Sequence, residues 1–382
     1  MPEQTSEAGL TAPAVQAERF VFLDGLRGWG AVVVVVFHYL VQIFPPTPEI
    51  ASILKRIIFL HGTMAVWVFF VVSGFSLSIG YIKRRDRRAL TRLAIGRYPR
   101  LVIPVFVACT LVHLMMVTGL IYPAGERPDV LKPFLNFDTS LSYLFRFSFV
   151  NAFFDHRFLE SYIPPLWTMS VELFGSAVVI ALLAIFGRVE WRLWIYTAIM
   201  IALMLFGSLY GLFVAGILLA EIFTMGAPTT RWFHVLLILA FVGGLLVPVY
   251  LTIEPPNALG LFGIAAWCGA WIFLGPLRRL LQLPVSRWLG RLSFPLYLVH
   301  APLAYSLCVF LLRQIQGLGL SRAATHMIVV ALSIPAAIAV AWLFTPVNES
   351  AVRISRWLGR TVVDGFESFV RRQKTEPVSP VV

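Results

Sequence analysis

An all-α, polytopic membrane protein with about ten transmembrane helices is the fold class this sequence predicts. Three observations carry that expectation. Hydrophobic residues make up 59% of the 382 residues and charged residues only 13%, with a mean hydropathy of +0.82, whereas soluble domains carry far more charge. Apolar runs of about twenty residues, enough to cross a ~30 Å hydrocarbon core, recur along the chain. The remaining charges gather in the short connections between those runs.

Taken in order, residues 1–18 are polar and read as a disordered N-terminal tail. They lack the basic start of a cleavable signal, and no small-residue cleavage site follows the first apolar run. Spans are expected near 24–44, 58–81, 99–120 and 164–187. The apolar block 193–223 is too long for one crossing, and its GSLYG break (Gly207 to Gly211) divides it into two short spans. Four more spans are expected near 232–252, 258–276, 294–313 and 325–345. A connection near 121–163 holds an amphipathic piece at 141–155. The transmembrane domain thus covers 19–347. A basic tail, 348–382, follows it, in which Val352, Trp357, Val363, Phe366 and Phe369 among arginines read as an interfacial helix.

Ten spans put both termini on one side of the membrane. With the termini cytoplasmic, 23 of the 31 Lys and Arg residues fall inside and eight outside, as the positive-inside rule requires. The formal charge of +12 is therefore topogenic, and no nucleic-acid partner is expected. Cys109, Cys268 and Cys308 all lie in apolar runs, without metal-ligand or disulfide spacing, and read as core residues. No His/Asp/Glu set has metal spacing, so no metal site is expected. His61, His113, His156, His234 and His326 lie near span ends or loops and read as surface or interfacial.

The polar residues inside the apolar runs point to chemistry, because ionisable groups in lipid are costly and usually face a cavity or a partner. Arg27 and His38 in the first span are eleven residues apart. On a straight helix that places them within about 20° of one face and about 16 Å apart. A tunnel entered by an anion and ending at a base would use such a pair; a packed histidine and a snorkelling arginine are the plain alternative. Arg97 and Arg100, three residues apart and bracketed by Pro99 and Pro104, can grip one phosphate. With Arg27 they make a candidate site for a nucleotide-bearing cofactor. Ser73 and Gly74 interrupt the second span, either to ease helix packing or to let a ligand approach. Glu172 in the fourth span needs a partner, for which Arg27, His38 or an arginine of the third span would serve. Ser293, Tyr297 and His300 share one face of the ninth span.

Together these motifs resemble the acyltransferase 3 family of ten-span membrane O-acyltransferases. The family's Arg/Lys-x10-His resembles Arg27 to His38, led by LDGLRG, which adds Asp24 as a candidate. Its Arg-x-x-Arg resembles Arg97 to Arg100, its FF-x-x-SGF Phe69 to Phe75, its W-[ST]-x-S-x-E Trp167 to Glu172, and its S-[YF]-x-x-YLxH Ser293 to His300. The resemblance spans about residues 20–345, in the family's order. Phe294-Pro295 departs from the more usual Tyr-Ser, and Pro346-Val347-Asn348-Glu349 departs from the family's ending.

The resemblance implies a bacterial inner-membrane enzyme with both termini cytoplasmic. It would move an acyl group, acetyl first, from cytoplasmic acetyl-CoA to a hydroxyl of an exported polysaccharide or lipid-linked sugar. Association with polysaccharide export machinery would follow. His38, Arg27 and Glu172 are the expected catalytic residues; Arg97, Arg100, Arg27, Ser73 and Gly74 the donor-binding ones. Ser73, Tyr297 or a backbone amide near Gly74 is placed to stabilise an oxyanion. Acyl transfer to a small secreted molecule, transfer of succinyl, and a membrane transporter are the alternatives. Against the transporter stands the lack of an internal repeat.

Overall fold

The computed structural model describes residues 20–250 and 256–375, and every regular element among them is a helix. The tail at 1–18 and the last residues, 376–382, lie outside the described residues. Eleven long helices follow one another: α1 Val21–Ile43, α2 Gly62–Arg84, α3 Arg87–Val117 and α4 Pro164–Phe186, then α5 Arg192–Leu205, α6 Tyr210–Met225 and α7 Arg231–Tyr250. The rest are α8 Ala258–Phe273, α9 Pro284–Tyr305, α10 Leu307–Gln316 and α11 Arg322–Thr375. Among the described residues, five of these are long and apolar enough to cross a membrane, or seven when two bent pairs each count as one crossing. α5 and α6, at 14 and 16 residues, are shorter than a straight ~30 Å crossing requires. They flank the expected break, where Gly207 turns the chain with a φ of 68°.

Small residues decide how the helices meet. Without a hydrophobic drive between helices in lipid, close backbone packing holds them together. A Cβ on Gly25 would lie 2.2 Å from the Leu281 carbonyl oxygen, and one on Gly28 2.5 Å from the Gly290 nitrogen. Gly290 in turn meets the backbone of Asp24. The glycines of LDGLRG therefore seat α1 on α9 and the short helix Gly275–Leu281 before it. Gly74 meets the carbonyl of Phe213, and Gly216 that of Val71, so α2 and α6 cross with their backbones nearly touching. Large apolar side chains such as Trp194, Leu236 and Trp342 stay on the outside, where lipid would cover them.

Three helices begin or end elsewhere than expected. α3 starts at Arg87, not near 99, because the Asp86 carboxylate caps it by accepting from the Arg88 amide at 2.8 Å. Pro99 and Pro104 thus lie inside a continuous helix. α9 starts at Pro284, in the first turn, where a missing N–H costs nothing. Pro295 and Pro302 are carried within it, and the chain then bends 42° into α10. α11 does not stop at the expected end of the last span. It runs on through Pro346 to Thr375, absorbing the described part of the basic tail. In that tail Trp357 and Phe366 are exposed while Val363 is buried. The connection from 121 to 163 folds into short turns around the helix Leu141–Arg146 and the wide turn that follows it.

Candidate active site

Two chambers open within the bundle and share a wall. The first, about 830 Å³, is lined by Arg27, Arg97 and Arg100 together with Asp24, Ser73, Glu172 and Ser293. The second, about 710 Å³, is lined by His38, His300, Tyr39 and His61, with Lys55 and Arg56 at its rim. Both volumes fall in the range that holds a small ligand. Val66, Thr168 and Tyr297 line both chambers. Tyr297 donates to the Pro165 carbonyl and shares a 2.6 Å hydrogen bond with the Thr168 hydroxyl, which ties α9 to the start of α4 across the wall.

In the basic chamber the partner of Glu172 is Arg97, the third-span arginine among the three partners considered. The two form an ion pair. Glu172 also accepts from the Ser73 hydroxyl at 2.7 Å, and Arg27 reaches that hydroxyl at 3.5 Å. Arg97 donates a second bond, from Nε to the Ser176 hydroxyl at 2.6 Å. One carboxylate thus anchors a chain from α1 through α2 and α4 to α3. Arg100 differs from Arg97. Its Nη1 is buried with no hydrogen-bond partner among the described residues, and its guanidinium lies over the Phe294 ring at 5.6 Å. A buried donor without an acceptor is costly, and an anion in the chamber would supply one.

In the other chamber His38 Nδ1 lies 2.8 Å from His300 Nε2, with the rings within 5° of coplanar. The backbone sets the tautomers. His300 Nδ1 is 3.1 Å from the Leu296 carbonyl, which can only accept. Neutral His300 therefore carries its proton on Nδ1, its Nε2 accepts from His38 Nδ1–H, and the lone pair of the couple sits on His38 Nε2. Tyr39 donates to the His300 carbonyl at 2.6 Å and fixes that turn of α9. His300 is fully buried while His38 is half-buried. The pair is thus built as an accessible base backed by a buried orienter.

Several expectations change here. Between Arg27 and His38, where one tunnel is expected, lie two adjoining chambers that share Val66, Thr168 and Tyr297 in their linings, and α1 widens into π-helical turns from Phe37. Gly74 does not line either chamber; its open face is filled by α6, so it serves helix packing. Asp24 and Ser293 do line the basic chamber, where Ser293 donates to the Gly290 carbonyl at 3.0 Å. His113 and His326 are buried, not interfacial. The first bonds the Tyr162 hydroxyl at 3.3 Å and the second the Pro45 carbonyl at 2.8 Å. His61 lines the histidine chamber. The three cysteines are free and buried, and no group of three or more potential metal ligands occurs among the described residues.

Sequence reasoning missed Arg291, Asn348, Arg353 and Arg356, all of which line the basic chamber. Arg291, Arg353 and Arg356 look like ordinary topogenic charge. Only the early start of α9 and the continuation of α11 bring them to the site.

An arginine-lined chamber able to hold an anion thus adjoins a histidine couple able to act as a base, within one helical bundle. The chain belongs to the acyltransferase 3 family, whose model, described as an acyltransferase domain, matches residues 20–346. It is similar to O-acetyltransferase PaAT-1 of Phomopsis amygdali, at 27% identity over 421 aligned positions, covering 88% of this chain and 84% of that protein. No solved structure matches the chain. The protein is thus an O-acyltransferase, which decides between the enzyme and the transporter that its buried charges alone left open.

Proposed function

We propose that the enzyme transfers an acyl group, acetyl first, from acyl-CoA held in the basic chamber to a hydroxyl presented in the histidine chamber. The observation that carries this reading is the shared wall. A donor whose phosphates lie among arginines would bring its thioester to Tyr297 and Thr168, beside the His38–His300 couple. Arg97 is already committed to Glu172, so Arg100, with its unpartnered Nη1, is the phosphate-binding member of the pair. Hydrogen bonds to charged groups contribute about 1.5–3 kcal/mol each. Arg27 bonds Ser73, which Glu172 holds, and lines the path from that end.

His38 Nε2 takes the proton of the acceptor hydroxyl, and His300 steadies the ring as charge develops on it. The Tyr297 hydroxyl, in the wall between donor and acceptor, stabilises the oxygen that gains charge by turning its proton from the Pro165 carbonyl to that oxygen. For the acceptor we favour a hydroxyl of an exported polysaccharide or lipid-linked sugar, reached from the side opposite the basic chamber. The apolar helices α5, α6 and α7 complete a count of ten crossings, with both termini cytoplasmic in a bacterial inner membrane.

The decisive experiment is acetyl-CoA binding to purified, detergent-solubilised protein, paired with CoA release on adding sugar acceptors. Wild type and His38→Ala are expected to bind acetyl-CoA alike, with acceptor-dependent CoA release abolished in His38→Ala. Absence of binding by folded wild-type protein would remove acyl-CoA as the donor.

A further inference from the structure

The family match ends at residue 346, yet the basic chamber does not. Asn348, Glu349, Val352, Arg353 and Arg356 all line it from the continuation of α11. Their spacing marks one stripe of a helix. Arg353 and Arg356 repeat, on this stripe, the three-residue spacing of Arg97 and Arg100 on α3.

We propose that this continuation of α11 is a built part of the donor site, and that Arg353 and Arg356 bind the phosphates of the donor's nucleotide head opposite Arg100. The inference rests on the acyl-CoA reading above.

Three observations carry it. First, the helix is held against α3 by residues at the edge of the stripe and beyond it along the helix. The Ser355 hydroxyl donates to the Gly96 carbonyl at 2.7 Å, and Gly359 packs so close to α3 that a Cβ would lie 2.5 Å from the Arg92 carbonyl oxygen. Further out, Arg92 pairs with Asp364 at 2.7 Å and Arg88 with Glu367 at 2.7 Å. Second, the charges change pattern at the chamber. Where the two helices meet away from it, arginine faces carboxylate; at the chamber, Arg353 and Arg356 line the same cavity as Arg100. Six arginines line the chamber against three carboxylates, a surplus of three that falls to one without the tail pair. Arg27, Arg97 and Arg100 are partly buried and Arg353 and Arg356 are exposed beside them, and like charges so gathered favour an anion between them. Third, a polar atom in the same stripe is also unsatisfied: Asn348 Oδ1 is buried with no partner among the described residues, an acceptor open to an amino or hydroxyl group of the nucleotide head rather than to its phosphates. Arg353 now bonds the Ser350 hydroxyl at 2.9 Å, a contact it can exchange for a phosphate at little cost.

The test uses the full-length protein and measures equilibrium binding of acetyl-CoA and of S-acetylpantetheine, which has the same thioester arm without the nucleotide. Arg353→Gln/Arg356→Gln is expected to weaken acetyl-CoA binding by about tenfold or more per arginine while leaving S-acetylpantetheine binding unchanged. Arg353→Lys/Arg356→Lys, which keeps the charge but loses the fork, should recover part of the loss. Unchanged acetyl-CoA binding in the Gln variant would overturn the inference and leave the donor reading intact. Equal weakening for both donors would also overturn it, showing a structural role only. Wild-type protein that binds no acetyl-CoA would remove both readings together.

Discussion

The two chambers share α1, α2, α4 and α9 but are built by opposite electrostatic rules, and α3 and α11 line only the basic one. The basic chamber gathers charge and balances it incompletely: Arg97 is engaged by Glu172 and Ser176, while Arg100 Nη1 is buried without a partner among the described residues. The histidine couple is balanced internally, each ring nitrogen of His300 having a named partner. No carboxylate among the described residues lines its chamber. Binding needs unmet donors aimed at a ligand, and base catalysis needs one lone pair held in position. The difference teaches that affinity and proton transfer here are separable, and mutations should separate them.

The largest effect is expected at His38. His38→Ala removes the lone pair and should lower acyl transfer by about 10²- to 10⁴-fold, the usual worth of a positioned base. Donor affinity should be unchanged, because the side chain lies beyond the wall. Single-turnover transfer beside equilibrium binding checks this; loss of both together would erase the distinction between the chambers. His300→Ala comes next, acting through His38. His300→Gln keeps an acceptor for His38 Nδ1 and should recover part of the rate, whereas a merely space-filling role would favour His300→Leu.

On the other side, Arg100→Ala should raise the donor Kd by about tenfold or more, with turnover at saturating donor much less affected. Arg97→Ala is different in kind. It leaves Glu172 buried without its ion-pair partner, which is strongly destabilising, and the melting temperature should fall along with donor affinity. Measuring both quantities for both variants tells grip from scaffold within one Arg-x-x-Arg pair.

The residues explain how much of this was legible in the sequence. Charged and titratable groups inside apolar runs stand out because lipid penalises them, so Arg27, His38, Glu172 and His300 could be named without coordinates. Their grouping could not. The eleven-residue spacing of Arg27 and His38 holds only for an unbroken straight path, and neither the π-helical turns after Phe37 nor the wall from α2, α4 and α9 has a signature in α1 itself. Gly74 carried two readings that sequence weighs alike; the carbonyl of Phe213, 139 residues later in the chain, decides between them. Arg353 and Arg356 were hidden for another reason: at a membrane boundary an arginine with a ligand and an arginine that sets topology look the same. Helix ends were legible where a turn residue such as Gly207 marks them. They were misjudged where α3, α9 and α11 run past the apolar run that announced them.

The smallest expected effect lies at the rim of the histidine chamber, where Lys55 and Arg56 are exposed and no carboxylate among the lining residues opposes them. They act through water, so their pull on an acceptor is screened within about 8 Å at physiological salt. For an acceptor bearing a carboxylate or phosphate, Lys55→Ala/Arg56→Ala should raise the acceptor KM about two- to fivefold, in keeping with exposed pairs worth up to ~1 kcal/mol. That increase should vanish as salt is raised, since wild type then loses the same attraction. A neutral acceptor should show no difference, and donor affinity should not move in either case. A change in donor affinity would mean that the rim communicates with the basic chamber through the Thr168–Tyr297 wall, and the two chambers would then have to be treated as one site.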